Sequence, residues 1–326
     1  MSADGAALGA RLRDRDVSAA PAALNLLEST APADREQSAA LLREVSPAAL
    51  GAEAPGHLIG LTGPPGAGKS TLLSALLHAW RGGSGSKDAA GRQRTVAVLA
   101  VDPSSRRSGG SLLGDRARIE FDPADRGVLI RSTAAGERLG GLARATRAAA
   151  HALAAAFDVV VIETVGVGQA ETEVADVADT IAVVVQPGSG DVLQFLKAGI
   201  MEIPDVLVVT KADLGQIAAG SRRDLTAALR SLGATGTPVL AVSSLPPPSG
   251  IPELLAALED HRAGLDVAAR RLHARRAGAL SEFALEHGEQ GMRAVGGRSA
   301  AESLLAEQES GLEVPALVAL LERSLP

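Results

Sequence analysis

Cysteine and tyrosine are absent from this chain of 326 residues, and the remaining aromatics amount to one tryptophan and four phenylalanines. Lack of cysteine excludes disulfides, thiolate metal sites and cysteine nucleophiles together, and it suits a reducing compartment. With so few aromatic rings the core must be built from Leu, Val, Ile and Ala, and stacking platforms for bases or sugars are essentially missing. No apolar run approaches the ~20 residues that span a bilayer, and the start Met1-Ser2-Ala3-Asp4 lacks the basic-then-apolar pattern of a signal peptide. The expectation is a cytoplasmic protein with no membrane contact. Acidic residues outnumber basic ones, 38 to 32, for a net charge of −6, which argues against a nucleic-acid partner. The six histidines are scattered, with no pair spaced to share a transition metal.

What is present is an alternation of short apolar runs and amphipathic stretches. Residues 1 to about 56 carry helical spacing at Leu8, Leu12, Leu24, Leu27, Leu41 and Leu42, broken at Pro32. From His57 the chain reads as strand and helix in turn. Leu58-Ile59-Gly60-Leu61-Thr62 reads as the first strand. Thr95 to Asp102, Val128 to Arg131, Val159 to Glu163, Thr180 to Gln186, Val206 to Thr210 and Val239 to Ser243 read as further strands. Near-continuous Val/Ile/Leu runs of this kind are expected of parallel strands covered on both faces. Helices are expected after the first strand, where Leu72, Leu73, Leu76 and Leu77 keep a helical period, and over 137–156, 191–202, 217–232 and 251–262. Gly82 to Arg92 reads as a flexible insertion, and Leu245-Pro246-Pro247-Pro248-Ser249-Gly250 as a stiff turn. Beyond residue 263, Arg270, Arg271, Arg275 and Arg276 read as a solvated helix face on a helix continuing through Leu280, Phe283 and Leu285. A loop from Gly288 to Gly297 and two short helices then close the chain. The organisation is an N-terminal helical extension (1–56), a central α/β domain (57–262) and a C-terminal helical extension (263–326).

The chemistry is concentrated in four segments. Gly63-Pro64-Pro65-Gly66-Ala67-Gly68-Lys69-Ser70-Thr71 is a complete phosphate-binding loop placed between a strand and a helix. Its glycines let successive backbone N–H groups face a phosphate. Lys69 would reach the β- and γ-phosphates, Ser70 would ligate Mg²⁺, and the helix start would add its positive dipole end. Downstream, strands ending in Asp102 and Glu163 offer carboxylates for Mg²⁺, and Gly166, three residues after Glu163, lets a backbone N–H approach the γ-phosphate. Thr210-Lys211-Ala212-Asp213 resembles the guanine motif Asn-Lys-x-Asp, with Thr in place of Asn. Asp213 would accept from two guanine donors that adenine lacks, and Lys211 would lay its stem over the ring. Ser243-Ser244-Leu245 falls where the last base-contacting loop of such domains lies. These features define the expected fold class: an α/β P-loop NTPase, its mostly parallel sheet covered by helices on both faces, with helical N- and C-terminal extensions.

Further blocks carry a narrower resemblance: Asp102-Pro103-Ser104-Ser105, Gly109-Gly110-Ser111-Leu112-Leu113-Gly114-Asp115, Glu163-Thr164-Val165-Gly166-Val167-Gly168-Gln169 and Pro187-Gly188-Ser189-Gly190-Asp191. In order and type they resemble the MeaB/ArgK family, GTPase chaperones of adenosylcobalamin-dependent acyl-CoA mutases, similar to the methylmalonic aciduria type A protein. The resemblance implies GTP/GDP and Mg²⁺ as cofactors, with Ser70, Asp102, Asp115 and Glu163 around the metal. Lys69, Asp115, Glu163 and Lys197 are its implied catalytic residues. It places Asp115 in a first switch, Gly166 to Glu171 in a second, and Asp191, Gln194 and Lys197 in a third that passes the nucleotide state to the mutase. The implied function is to gate cofactor loading and to protect or reactivate the mutase, most readily methylmalonyl-CoA mutase, with the helical extensions making a homodimer. The alternatives are a metallochaperone GTPase, an ATP-dependent kinase of a transport system and a nucleotide-binding scaffold with little hydrolysis. Missing cysteine and histidine clusters argue against the metallochaperone, and Asp213 against the kinase.

Overall fold

The structure is a computed structural model that describes residues 3–82, 91–102, 118–134, 144–164, 173–188 and 204–325. The chain divides into two compact units, His57–Ala143 with Asp158–Leu265, and Met1–Gly56 with Arg144–Phe157 and Asp266–Pro326.

The first of these is built on seven parallel strands: β1 (His57–Thr62), β2 (Val96–Asp102), β3 (Val128–Ala134), β4 (Val159–Thr164), β5 (Thr180–Val185), β6 (Val206–Val209) and β7 (Val239–Ala241). Their order across the sheet is β3-β2-β4-β1-β5-β6-β7, so β1 sits in the middle, flanked by β4 and β5. Every residue of β1, β4, β5 and β6 is buried, as the unbroken apolar runs require. One face is sealed by two helices. Leu72, Leu73, Leu76, Leu77 and Trp80 come from the helix after β1 (Lys69–Gly82), and Ile251, Leu254 and Leu258 from the helix Ile251–Ala263. Both sets pack on Ile59, Leu61, Val98, Val161, Val184 and Val208. The alternate residues Leu58, Val160 and Ile162 are fully buried as well. Helix Gln216–Ser231 packs against β6 and β7.

The strands lie where the apolar runs place them, with one clear difference: β3 continues to Ala134 rather than ending at Arg131. It is an edge strand, and Ser132, Thr133 and Ala134 keep register with Ala100, Val101 and Asp102, so backbone pairing carries it past the apolar run. The helix expected over 137–156 is described from Arg144 to Ala156, and the one expected over 191–202 lies outside the described residues.

The second unit is helical among its described residues. Numbering the helices of the described residues in order gives α1 (Gly5–Arg13), α2 (Ala20–Leu27), α3 (Pro32–Glu44), α4 (Pro47–Leu50), α5 (Lys69–Gly82), α6 (Arg144–Ala156), α7 (Gln216–Ser231), α8 (Ile251–Ala263), α9 (Val267–Ala294), α10 (Arg298–Ala306) and α11 (Val314–Arg323). In this unit α1, α2, α3 and α6 pack together, and α9, α10 and α11 close a second core on Ala279, Leu280, Phe283, Leu305, Leu317 and Leu321.

Two sequence expectations fail here. The segment 288–297 is not simply a loop: α9 breaks only at Gly288, where φ is +62°, and then resumes to Ala294. Nor is the arginine-rich stretch of α9 a solvated face throughout, because Arg271 and Arg275 are each only 1% exposed. Four residues apart, they share one stripe of the helix. Arg271 donates to the carbonyls of Ala54 (2.7 Å) and Gly56 (2.6 Å). Arg275 grips both oxygens of Glu53 (2.9 and 2.8 Å) and the carbonyl of Ser310 (2.8 Å). Such burial is tolerable because the terminal guanidinium nitrogens find acceptors and Arg275 also finds a counter-charge, which outweighs a buried Nε of Arg275 that has none. Beside this cluster, burial pushes the Glu313 carboxyl up to about 7, against the pull of Arg275 and with the push of Glu53.

Candidate nucleotide site

The C-terminal ends of β1, β4, β5 and β6 bring the candidate residues of the described chain together. The loop from Gly63 to Gly68 leaves β1 through Gly63, whose φ of +139° and whose position only 2.0 Å, at the Cβ point, from the carbonyl oxygen of Val184 admit no side chain. Gly66 and Gly68 also take positive φ, +78° and +89°, so the chain reverses over Pro64, Pro65, Gly66 and Ala67 before α5 begins at Lys69. The first turn of α5, with Ser70 and Thr71, therefore stands at the mouth of the loop, where the N–H groups of a helix start favour an anion.

Lys69 is buried, 7% exposed, and folds back over the loop: its ammonium donates to the carbonyls of Gly63 (2.7 Å) and Pro64 (3.2 Å). Next to it the Ser70 hydroxyl donates to Oε1 of Glu163 at 3.0 Å. Glu163 is 4% exposed and stands beside Leu61 across the β1–β4 ladder, which fixes the carboxylate against the start of α5. One residue on, the Thr164 hydroxyl donates to that of Thr62 at 2.9 Å, tying the ends of the two strands. Asp102 closes β2, two residues past Ala100, the register partner of Glu163.

The segment that the sequence assigns to base recognition follows β6. The Thr210 hydroxyl lies 2.6 Å from the carbonyl of Ala67 and 3.0 Å from that of Val185, binding the phosphate loop to the end of β5. Lys211 takes a left-handed φ of +52° and sends its ammonium to Oε1 of Gln186 (2.7 Å), with the carbonyl of Gly66 at 3.5 Å. Asp213 is exposed, in a short 3-10 turn Ala212–Leu214, and its Oδ1 accepts from the buried Ser243 hydroxyl at 2.9 Å. That bond orients the carboxylate and draws the Ser243-Ser244-Leu245 segment up to it, with Leu245 left 57% exposed. Asp115 and Lys197, with Gly166 to Glu171, Asp191 and Gln194, lie outside the described residues. One residue of this constellation went unremarked in the sequence, Gln186. Its signal was a polar side chain ending an apolar parallel strand, at the strand end where ligands of open α/β sheets bind.

A glycine-turned loop joining the central strand of a parallel sheet to a helix, with Lys, Ser and a strand-end carboxylate gathered at its mouth, defines a P-loop nucleotide-binding protein. Residues 20–292 match the family model described as Methylmalonyl Co-A mutase-associated GTPase MeaB, and the chain belongs to that family. A probable GTPase of Mycobacterium tuberculosis is 41% identical over 264 residues, 78% of this chain and 74% of its own length. The methylmalonic aciduria type A homolog, mitochondrial, of Caenorhabditis elegans is 38% identical over 198 residues, 59% of this chain and 48% of its own. A crystal structure described as LAO/AO transport system kinase superposes with a TM-score of 0.63 at 27% identity, covering 98% of this chain and 96% of that one. The chain is thus a GTPase that binds guanine nucleotide. Among the described residues no helix is long and apolar enough to cross a membrane.

Proposed function

We propose that this GTPase acts as a nucleotide-controlled chaperone of an adenosylcobalamin-dependent acyl-CoA mutase, with methylmalonyl-CoA mutase as the first candidate, gating cofactor loading and protecting or reactivating the enzyme. The mutase appears in the description of the matched family, and the worm relative named for methylmalonic aciduria supports the same direction. The observation that carries the nucleotide chemistry is the convergence of Ser70 on the buried Glu163 carboxylate at 3.0 Å, directly behind the phosphate loop.

That pair of hard oxygen donors fits Mg²⁺, which Ser70 and Glu163 would hold with Asp102 and Asp115, and the ion would offset charge at the β–γ bridge. The chain's own residues do the rest. Lys69, already held over the loop by two carbonyls, exchanges them for phosphate oxygens and stabilises the charge that develops as water attacks in line. Asp213, oriented by Ser243, takes the guanine donors, and Lys211 lies along the base. A transport kinase using ATP would need the opposite preference at Asp213, so the description of the solved relative does not shift the reading. Asp115, Lys197, Asp191, Gln194 and the segment Gly166 to Glu171 carry the nucleotide state outward to a bound mutase, in a cytoplasmic homodimer joined through the helical extensions.

GTP turnover measured with and without the mutase tests this reading. A coupled chaperone changes its rate or nucleotide affinity when the mutase is added, by a coupling of roughly 1–3 kcal/mol. The triple variant Asp191→Ala, Gln194→Ala, Lys197→Ala should lose most of that response while binding GTP as before. Indifference of the wild-type protein to every cobalamin-dependent acyl-CoA mutase would contradict the chaperone role.

A further inference from the structure

The acceptor that faces Lys211 is the side chain of Gln186, immediately after β5, and among the described residues its bond of 2.7 Å is the shorter of the two polar contacts the ammonium makes. An ammonium has only protons to give, so the atom facing it must be the amide oxygen, and the chemistry itself settles which way the amide is turned. The acceptor is in turn held on both sides. Val185, before it, receives both the backbone N–H (2.9 Å) and the hydroxyl (3.0 Å) of Thr210 on its carbonyl. After it, Pro187 restricts the chain, and the Gly188 N–H donates to the Ser221 hydroxyl of α7 at 3.0 Å. Gln186 is therefore a fixed point between two pinned residues.

Lys211 starts from the left-handed backbone position at the end of β6, and its far end is caught at the end of β5 and near Gly66 of the phosphate loop. The four-carbon stem is thus drawn across the space between the base-recognition turn and the loop. A free lysine samples many rotamers that binding would have to freeze, and holding it beforehand lowers that cost. Thr210 raises the importance of this arrangement. Its hydroxyl owns one proton, shared between Ala67 and Val185, and so has none to offer a base. Base recognition then falls on Asp213 and on the placement of Lys211.

We propose that Gln186 is a positioning residue for guanine-nucleotide binding: it accepts from the Lys211 ammonium and stretches the lysine stem over the base site before the nucleotide arrives. The proposal rests on the reading of Thr210 to Asp213 as the base site.

The test is calorimetric titration of GDP, together with GTP turnover, on Gln186→Leu, Gln186→Glu, Lys211→Ala and the double variant Gln186→Leu/Lys211→Ala. Gln186→Leu should weaken GDP binding roughly three- to tenfold, the cost of immobilising one long side chain. It should raise KM while leaving turnover at saturation unchanged, since no phosphate contact is touched. Gln186→Glu keeps an oxygen facing the ammonium and should bind close to wild type. In the double variant the Gln186 change should add nothing to the loss caused by Lys211→Ala. Nucleotide-free unfolding midpoints should agree across the set, which separates positioning from a general structural effect. Wild-type GDP affinity in Gln186→Leu, or losses that add in the double variant, would overturn the proposal while leaving the base site standing. If Lys211→Ala and Asp213→Asn both bind guanine nucleotides like wild type, the base-site reading fails and the proposal falls with it.

Discussion

Lys69 and Gly63 mark the two kinds of residue that the phosphate loop depends on, one chemical and one steric. Lys69 holds its charge at the loop mouth through the carbonyls of Gly63 and Pro64, ready for an anion. Lys69→Ala should lower GTP hydrolysis on the order of a hundred- to a thousandfold, the usual loss when one electrostatic clamp on a developing charge is removed. A phosphate-release assay reads this directly. Gly63 is irreplaceable for a different reason, since a methyl group there would sit 2.0 Å from the Val184 carbonyl oxygen at a φ of +139°. Gly63→Ala should cost roughly 2–4 kcal/mol by forcing β1 and β5 apart or straining the loop, seen as a lowered unfolding midpoint and weakened nucleotide binding. Both residues were legible in the sequence because the loop's spacing is a local code. Gln186 was not, because its importance lies in a contact with Lys211, 25 positions away.

Among the elements, the sheet was legible and part of the helical structure was not, for physical reasons that differ. Runs such as Val159 to Ile162 are apolar on both sides, so each predicts a parallel interior strand without reference to its neighbours. β3 outran its apolar stretch because an edge strand is extended by backbone pairing with β2, which composition does not reveal. The arginines of α9 misled because mixed charge on a helix ordinarily means solvent. Their burial is decided by Glu53, the 54–56 backbone and Ser310, more than 200 positions upstream or 35 downstream. Arg275→Ala should destabilise the protein by about 3–5 kcal/mol, since it leaves the mostly buried Glu53 carboxylate without its bidentate partner. Chemical denaturation checks the value. A variant that also carries Glu53→Gln should recover part of the loss, because the stranded charge is then gone.

At the scale of the whole molecule, which segments share a core is a matter of contacts between distant parts of the chain. The N-terminal helices, α6 and the C-terminal helices form one compact unit, and no periodicity within any of them announces the others. The same unit gives stability a pH dependence. Glu313 has an ordinary value of 4.5 and a folded value of about 7, raised by burial. Its contribution is fully present below about 4.5. Between 4.5 and 7 the unfolded chain gives up the proton that the folded chain keeps, so the contribution is lost as pH rises through the folded value. The change amounts to roughly 3 kcal/mol. Asp125 works in the opposite sense: hydrogen bonds from Arg81 hold its carboxyl below the usual range, and the stability it adds disappears as pH falls through that lowered value. Melting curves at pH 5 and pH 8 should therefore differ less for Glu313→Gln than for wild type. An equal difference in the two proteins would show that Glu313 does not titrate in this window.

We read the strand ends, phosphate loop and Thr210–Asp213 turn as one site for guanine rather than adenine nucleotides, which calorimetric titration with GDP and ADP decides. Through the Asp213 carboxylate, oriented by Ser243, GDP should bind at least ~10-fold more tightly than ADP, a margin of ~1.4 kcal/mol, and Asp213→Asn should remove most of that margin. Equal affinities of the wild-type protein for the two nucleotides would show that this site does not select guanine.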